Sequence, residues 1–211
     1  MLGTSDTRRR GPASTRIEYG RMSARDRLID ELRDHALVVG DVVLTSGRTA
    51  AYYVDAKRAV LRPAGFAALA ELVAERARAW GATAVGGLSM GADAPACAAL
   101  AGGADVKAFF IRKDVKAHGL QRRIEGPLLD PRDRCLIVED VVTTGGSTLQ
   151  AIDAVREAGH EIVGVVAILD RLAGGADAIR AAVAAPYEAL ATIDDVYPDR
   201  PDRPDRPGRP A

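Results

Sequence analysis

CLIVEDVVTTGGSTLQ, residues 135–150, changes character twice. It opens as an unbroken apolar run, CLIV, of the kind required by a strand buried on both faces. Two adjacent acids follow, Glu139 and Asp140, then two more apolar residues, and then the small polar loop TTGGST. Beyond the loop the spacing becomes helical and stays so until Gly159. The stretch therefore reads as a strand (135–142), a tight loop and a helix (147–158). Such a unit belongs in a parallel sheet, where ligands bind beyond the carboxyl ends of the strands.

Each part of the stretch has a physical use. Gly145 and Gly146 let the backbone fold closely around an anion. Thr143, Thr144, Ser147 and Thr148 offer hydroxyl donors. The new helix presents free N–H groups and a positive dipole end, which suits a phosphate. Glu139 and Asp140 are too far away and too negative for that phosphate. They suit neighbouring hydroxyls, such as a ribose diol, or a hydrated Mg²⁺. Phosphate at one end and diol at the other describe a ribose 5-phosphate. The plainer alternative is a strand end and a Ser/Thr-capped helix whose acids merely face solvent. Neither G-x-G-x-x-G nor G-x-x-x-x-G-K-[ST] occurs, which removes the main support for a dinucleotide or Walker-type site.

Outward from this stretch the same alternation continues. Ser23 caps a predicted helix with Leu28, Ile29, Leu32, Ala36 and Leu37 at apolar positions. Residues 42–62 read as short strands around a Ser-Gly-Arg turn, and 65–80 as a helix with Phe66, Leu69, Ala70, Val73, Ala77 and Trp80 on one face. Strands are expected at 82–89, 106–113, 161–170 and 187–193, and helices at 92–101 and 175–184. Residues 114–128 are polar and show no periodicity. The fold class is α/β, a parallel sheet with right-handed crossovers.

The 211 residues make one domain with a substantial core. That domain is read as 22–198. Residues 1–21 carry five Arg without periodicity and read as a disordered extension, and Met22 is a plausible alternative start. Residues 199–211, PDRPDRPGRP and the flanks, read as a solvated, disordered tail. The net charge is zero, so nothing global points to nucleic acid or a membrane surface. Cys97 and Cys135 have no C-x-x-C partner and read as small buried hydrophobes of a reducing cytosol. No apolar run approaches the ~18 residues of a membrane span. A cytoplasmic protein is expected.

The segment CLIVEDVVTTGGS resembles the PRPP (phosphoribosyl diphosphate) motif of type I phosphoribosyltransferases. FIRKDVKAHG, residues 110–119, resembles the mobile catalytic loop of the orotate phosphoribosyltransferases, with Arg112, Lys113, Lys116 and His118 in the R-K-x-x-K-x-H pattern. IEGPL (124–128) and LDR (169–171) also fit, and the resemblance covers about residues 23–195. It implies a type I fold with a small N-terminal hood. It also implies transfer of the 5-phosphoribosyl group from PRPP to orotate, with Mg²⁺, in pyrimidine biosynthesis. The implied catalytic residues are Lys116, His118 and Asp140. The implied PRPP contacts are Arg112, Lys113, Lys116, His118 and the run Glu139, Asp140, Val141, Val142, Thr143, Thr144, Gly145, Gly146 and Ser147. Thr143 and Arg171 match the orotate contacts; an Arg holds a carboxylate in a bidentate fork. No direct metal ligand is assigned, Mg²⁺ being held through PRPP and water. A homodimer with shared active sites is implied, the 112–118 loop reaching into the partner's site.

Two departures are plain. Thr45, in LTSGR, stands where many relatives carry Lys, and the loop LSMGAD lacks a Lys that many also have; Lys57 and Arg58 are the nearby candidates to supply the charge. A rival comes from GLSMG, residues 87–91, which fits the G-x-S-x-G elbow of serine hydrolases. It needs an acid and then a His downstream. His160 falls at the amino end of a strand, the wrong edge of the sheet, and His118 precedes Asp140 and Asp170. Gly86, Gly87 and Gly91 are then expected to open backbone N–H groups to a diphosphate, with Ser89 as a donor. A PRPP-sensing regulator that binds nucleic acid would lose the catalytic loop, and a phosphoribosyltransferase for another base would differ only in the base pocket.

Overall fold

The computed structural model describes residues 22–43, 49–113 and 123–204. Its strands are β1 (Leu37–Val43), β2 (Thr49–Val54), β3 (Ala84–Leu88), β4 (Lys107–Ile111), β5 (Ile124–Glu125), β6 (Arg134–Val142), β7 (Glu161–Asp170) and β8 (Tyr187–Thr192). Its helices are α1 (Ala24–His35), α2 (Lys57–Val60), α3 (Pro63–Ala79), α4 (Asp93–Ala101), α5 (Gly146–Glu157), α6 (Gly175–Ala182) and α7 (Ile193–Val196). Six strands form the central sheet in the order β5-β4-β3-β6-β7-β8, and β1 and β2 form a separate antiparallel pair. All neighbours in the central sheet are parallel except β4 and the short β5.

The apolar strands are buried on both faces because helices cover both. Along β6, Cys135 and Ile137 join one core while Leu136 and Val138 join the other. Along β7, Val165 and Ala167 alternate with Val166 and Ile168 in the same way. This is the two-residue period of a strand written into two hydrophobic layers. The larger layer is closed by α1, α3 and α4, with Leu28, Leu32, Leu69 and Val73 fully buried. The other is closed by α5 and α6, with Ile152, Val155 and Ile179 fully buried. Fully burying a side chain of that size stabilises the fold by about 1.5–3 kcal/mol.

Most expected elements are present, with ends shifted by a residue or two. Three differences have local causes. Residues 57–60 form the helix α2 where a strand was expected; Ala56 and Lys57 carbonyls accept the N–H groups of Val60 and Leu61. Residues 193–196 form α7, closed by a reciprocal cap in which the Thr192 hydroxyl accepts from Asp195 N–H and the Asp195 carboxylate accepts from Thr192 N–H. Within residues 199–204, expected as part of a solvated tail, 199, 201, 202 and 204 are exposed and Arg200 is the one buried exception. Arg200 is only 4% exposed and ion-pairs with Asp194 and Asp202.

The topology makes one place special. From β3 the chain continues on one side of the sheet to β4, and from β6 on the other side to β7, while β3 and β6 are themselves neighbours. Two loops therefore diverge at the carboxyl ends of this pair and leave a crevice between them.

Candidate active site

The crevice is a cleft of about 580 Å³, ordinary for a small-molecule site. Five of the side chains along it come from the end of β6 and its loop: Glu139, Asp140, Val141, Thr143 and Ser147. Ser89 and Gly91 face them from the β3 loop, with Lys57, Lys113 and Arg171 around the rim. Tyr53, Val54 and Met90 also line it. No residue type or spacing in the sequence marked those three, because they reach the cleft only through the packing of the β1–β2 pair and the turn at 89–91.

The two acids differ. Glu139 is 4% exposed, accepts hydrogen bonds from Asp140 N–H (3.2 Å) and the Thr148 hydroxyl (3.4 Å), and is pushed well above the usual carboxylate range by burial and then by the Asp140 charge. Asp140 faces the cleft with a cation beside it. Its Oδ2 lies 3.1 Å from Lys57 Nζ, and its Oδ1 accepts Val141 N–H at 2.7 Å. Lys57 also touches Asp55 Oδ1 at 2.9 Å. Burial pulls the Lys57 pKa down, but these two carboxylates outweigh it and raise it, so Lys57 is a firm cation. Of the two candidates for the missing loop charge, Lys57 lines the cleft. Thr148, expected as a donor to an anion, is instead turned inward to Glu139 and is 1% exposed.

The loop after β6 is shaped by one backbone requirement. Gly145 caps α5 in the left-handed region, φ 84°, where an L side chain is strained. A Cβ there would also approach the carbonyl oxygen of Gly175 to 3.1 Å. With Gly145 so placed, Thr143, Thr144, Gly146 and Ser147 are exposed at the helix start. Val142 sends its side chain into the core at 1% exposure and its carbonyl accepts Arg171 N–H at 2.9 Å.

The β3 loop corrects part of the sequence reading. Gly86 and Gly87 lie inside the sheet; an added Cβ would collide with the Phe109 carbonyl at one and the Val138 carbonyl at the other. They are glycines because the strands pack there, rather than to open N–H groups to an anion. Gly91 is glycine for a third reason. A Cβ on it would lie 2.5 Å from Glu139 Oε1 and 2.6 Å from Asp140 Oδ1. Ser89 is no nucleophile in waiting: its hydroxyl donates to Asp93 Oδ1 at 2.8 Å and its N–H to the Ile111 carbonyl at 2.8 Å. His160 sits at the amino end of β7, the far edge of the sheet.

The basic residues converge on the same end. Lys113 lines the main cleft and a neighbouring one of about 400 Å³ with Ser89, Phe110, Arg112 and Glu125. Arg112 is paired with Glu125 at 3.3 Å. Arg171 stands at the end of β7, its guanidinium 4.9 Å from the ring centre of Tyr52. Its neighbour Asp170 is engaged elsewhere, accepting from Leu172 N–H and the Tyr187 hydroxyl. Lys116, His118 and Thr45 lie outside the described residues.

The chain is similar to known proteins in sequence and in fold. Residues 57–183 match the family model of the phosphoribosyl transferase domain. An orotate phosphoribosyltransferase of Corynebacterium glutamicum is 45% identical over 176 residues, covering 83% of this chain and 95% of that one. One from Streptomyces avermitilis is 47% identical over 167 residues, covering 77% and 91%. The structure is similar to that of the Mycobacterium tuberculosis orotate phosphoribosyltransferase in complex with Fe(III) dicitrate, with TM-score 0.73, 41% identity and coverage of 82% and 99%. It is also similar to that same protein in complex with PRPP, with TM-score 0.69 and 36% identity. With these matches over most of its length, and the acid pair, glycine loop and basic rim in one cleft, the chain belongs to the orotate phosphoribosyltransferase family.

Proposed function

We infer that the chain transfers the 5-phosphoribosyl group of PRPP to orotate, giving orotidine 5′-monophosphate and diphosphate. One observation carries this: the acid pair ending β6 and the anion-binding start of α5 face Arg171 and Lys113 across one cleft. The exposed N–H groups and hydroxyls at Thr143, Thr144, Gly146 and Ser147 receive the 5-phosphate. Asp140, held by Lys57, receives the ribose hydroxyls. Lys57, Lys113 and Arg112 supply positive charge on the diphosphate side. Arg171 and Thr143 receive orotate, the guanidinium taking its carboxylate.

In the reaction the C1–oxygen bond of the sugar breaks and its electron pair leaves with diphosphate. The orotate ring nitrogen gives up its proton to solvent and supplies the pair for the new bond to C1. The transition state places positive charge on the sugar and added negative charge on the leaving group, so preorganised charges of both signs are needed and a covalent nucleophile is not. Lys116 and His118 are assigned to the leaving group by the resemblance. Exclusion of water protects the cation from hydrolysis.

The donor set suits Mg²⁺ held through water and substrate oxygens. Among the described residues no group of three or more His, Cys, Asp or Glu side chains is arranged to hold a metal, and Glu139 and Asp140 alone face the cleft. When bound, Mg²⁺ neutralises charge on the diphosphate. A homodimer with shared sites and a cytoplasmic location complete the proposal. No helix among the described residues is long and apolar enough to cross a membrane.

The deciding experiment follows orotate absorbance with PRPP and Mg²⁺, beside a panel of purine and pyrimidine bases. Orotate consumption is expected. An inert orotate beside a reactive purine would overturn the assignment of the base.

A further inference from the structure

Arg171 is held in an unusual way for a residue at a carboxylate site. Asp170, beside it, is taken by Leu172 N–H at 2.7 Å and by the Tyr187 hydroxyl at 2.8 Å. The Arg171 guanidinium instead lies over the face of Tyr52, 4.9 Å from the ring centre. Its Nε is buried and has no hydrogen-bond partner. An aromatic face restrains the plane of a guanidinium by cation–π attraction without occupying its N–H donors. The Nε donor is left unpaired in a residue that lines the cleft.

Tyr52 is itself fixed. It lies in β2 at 3% exposure, and Tyr197 meets its ring in an edge contact, centroids 5.4 Å apart and planes at 86°. Its hydroxyl donates to Asp202 Oδ2 at 3.0 Å. Asp202 accepts from Arg200 Nε at 3.2 Å, and Arg200, almost fully buried, is also paired with Asp194 of α7. A continuous chain of contacts thus runs from α7 through Arg200, Asp202 and Tyr52 to Arg171. A carboxylate accepting the phenol proton also enriches the ring, which strengthens its attraction for the cation above it.

We propose that Tyr52 and the segment Tyr197–Asp202 form a strap that positions Arg171 for the carboxylate of the base substrate. Tyr52 and Asp202 are positioning residues; they act through Arg171. The inference rests on Arg171 as the orotate contact. Losing the ring should loosen the guanidinium and weaken orotate capture, while PRPP, bound at the other end of the cleft, is untouched.

The test is steady-state kinetics of the full chain, with orotate and PRPP varied separately and Tm recorded for each variant. Tyr52→Leu should raise KM for orotate about 10-fold by loss of the cation–π contact. Tyr52→Phe and Asp202→Asn keep the ring and should each raise it only about 3-fold, since a single hydrogen bond is lost. KM for PRPP should stay within about 2-fold in all three. A chain ending at Pro204 should behave as the parent, and one ending at Pro198 as Asp202→Asn or worse. If Tyr52→Leu fails to fold, Tyr52→Phe and Asp202→Asn decide. An unchanged KM for orotate in these two, or an equal rise for both substrates, overturns the strap. Arg171→Ala separates the premises. If it leaves KM for orotate unchanged, the orotate contact is wrong; if it raises it while the strap variants do not, only the strap is wrong.

Discussion

The loops after β3 and β6 are built alike and work differently. Each leaves the carboxyl end of a central strand, turns within a few residues and enters a helix, α4 in one case and α5 in the other. Each contains Gly and Ser. Yet the β3 loop engages its serine with Asp93 in its own helix, whereas the β6 loop leaves Thr143, Thr144 and Ser147 exposed, with Thr143 and Ser147 lining the cleft. The difference lies in the partners. Strand–turn–helix is a shape, and chemistry enters through what the side chains touch.

The largest expected effect lies on the β6 side. Asp140→Ala should lower kcat/KM by about 100-fold or more, the scale of removing one group that stabilises developing charge; steady-state assay checks it. A loss no greater than that of Ser89→Ala would erase the contrast between the loops. Next comes the cation between them. Lys57→Met should raise KM for PRPP about 10-fold, and Lys57→Arg should recover most of it, because Asp140 would otherwise stand without its ion partner. Ser89→Ala should change KM for PRPP by no more than about 3-fold, because its hydroxyl proton is already given to Asp93. An abolished reaction would reopen the role of Ser89.

The smallest effect is one of stability. Glu139 has a folded pKa above its unfolded value, so the folded state holds its proton more tightly. The stability this contributes is complete below the unfolded pKa, about 4.3, and is lost as pH rises from there through the higher folded value. Glu139→Gln cannot ionise. Without ligands its Tm should therefore fall less than the parent's between pH 5 and pH 8, measured by calorimetry. Parallel curves would mean that Glu139 is not protonated in the cleft.

How far the sequence reached follows from which interactions are local. The α5 motif was legible because acids, glycines and hydroxyls lie within nine consecutive residues, 139–147, and Ser23 announced α1 by its own cap. α2 was missed because its four residues, KRAV, show no periodicity. Lys57 was visible as a charge, but its approach to Asp140 spans 83 positions and depends on how α2 packs against α1 and α3. The docking of Arg200 was hidden for a similar reason. A Pro-Asp-Arg run has the composition of a solvated chain, and the burial of Arg200 goes with its pairing to Asp194, brought near by the fold.

Gly91 has a consequence for how this site changes over generations. Any side chain there would press on Glu139 and Asp140 together. Position 91 and the acid pair are therefore one unit of inheritance, although one lies in the turn after β3 and the other on β6. Substitution at 91 alone should be purged, and suppressors of Gly91→Ala, selected for growth without pyrimidines, should arise at 139, where the shorter Asp makes room and keeps the carboxyl.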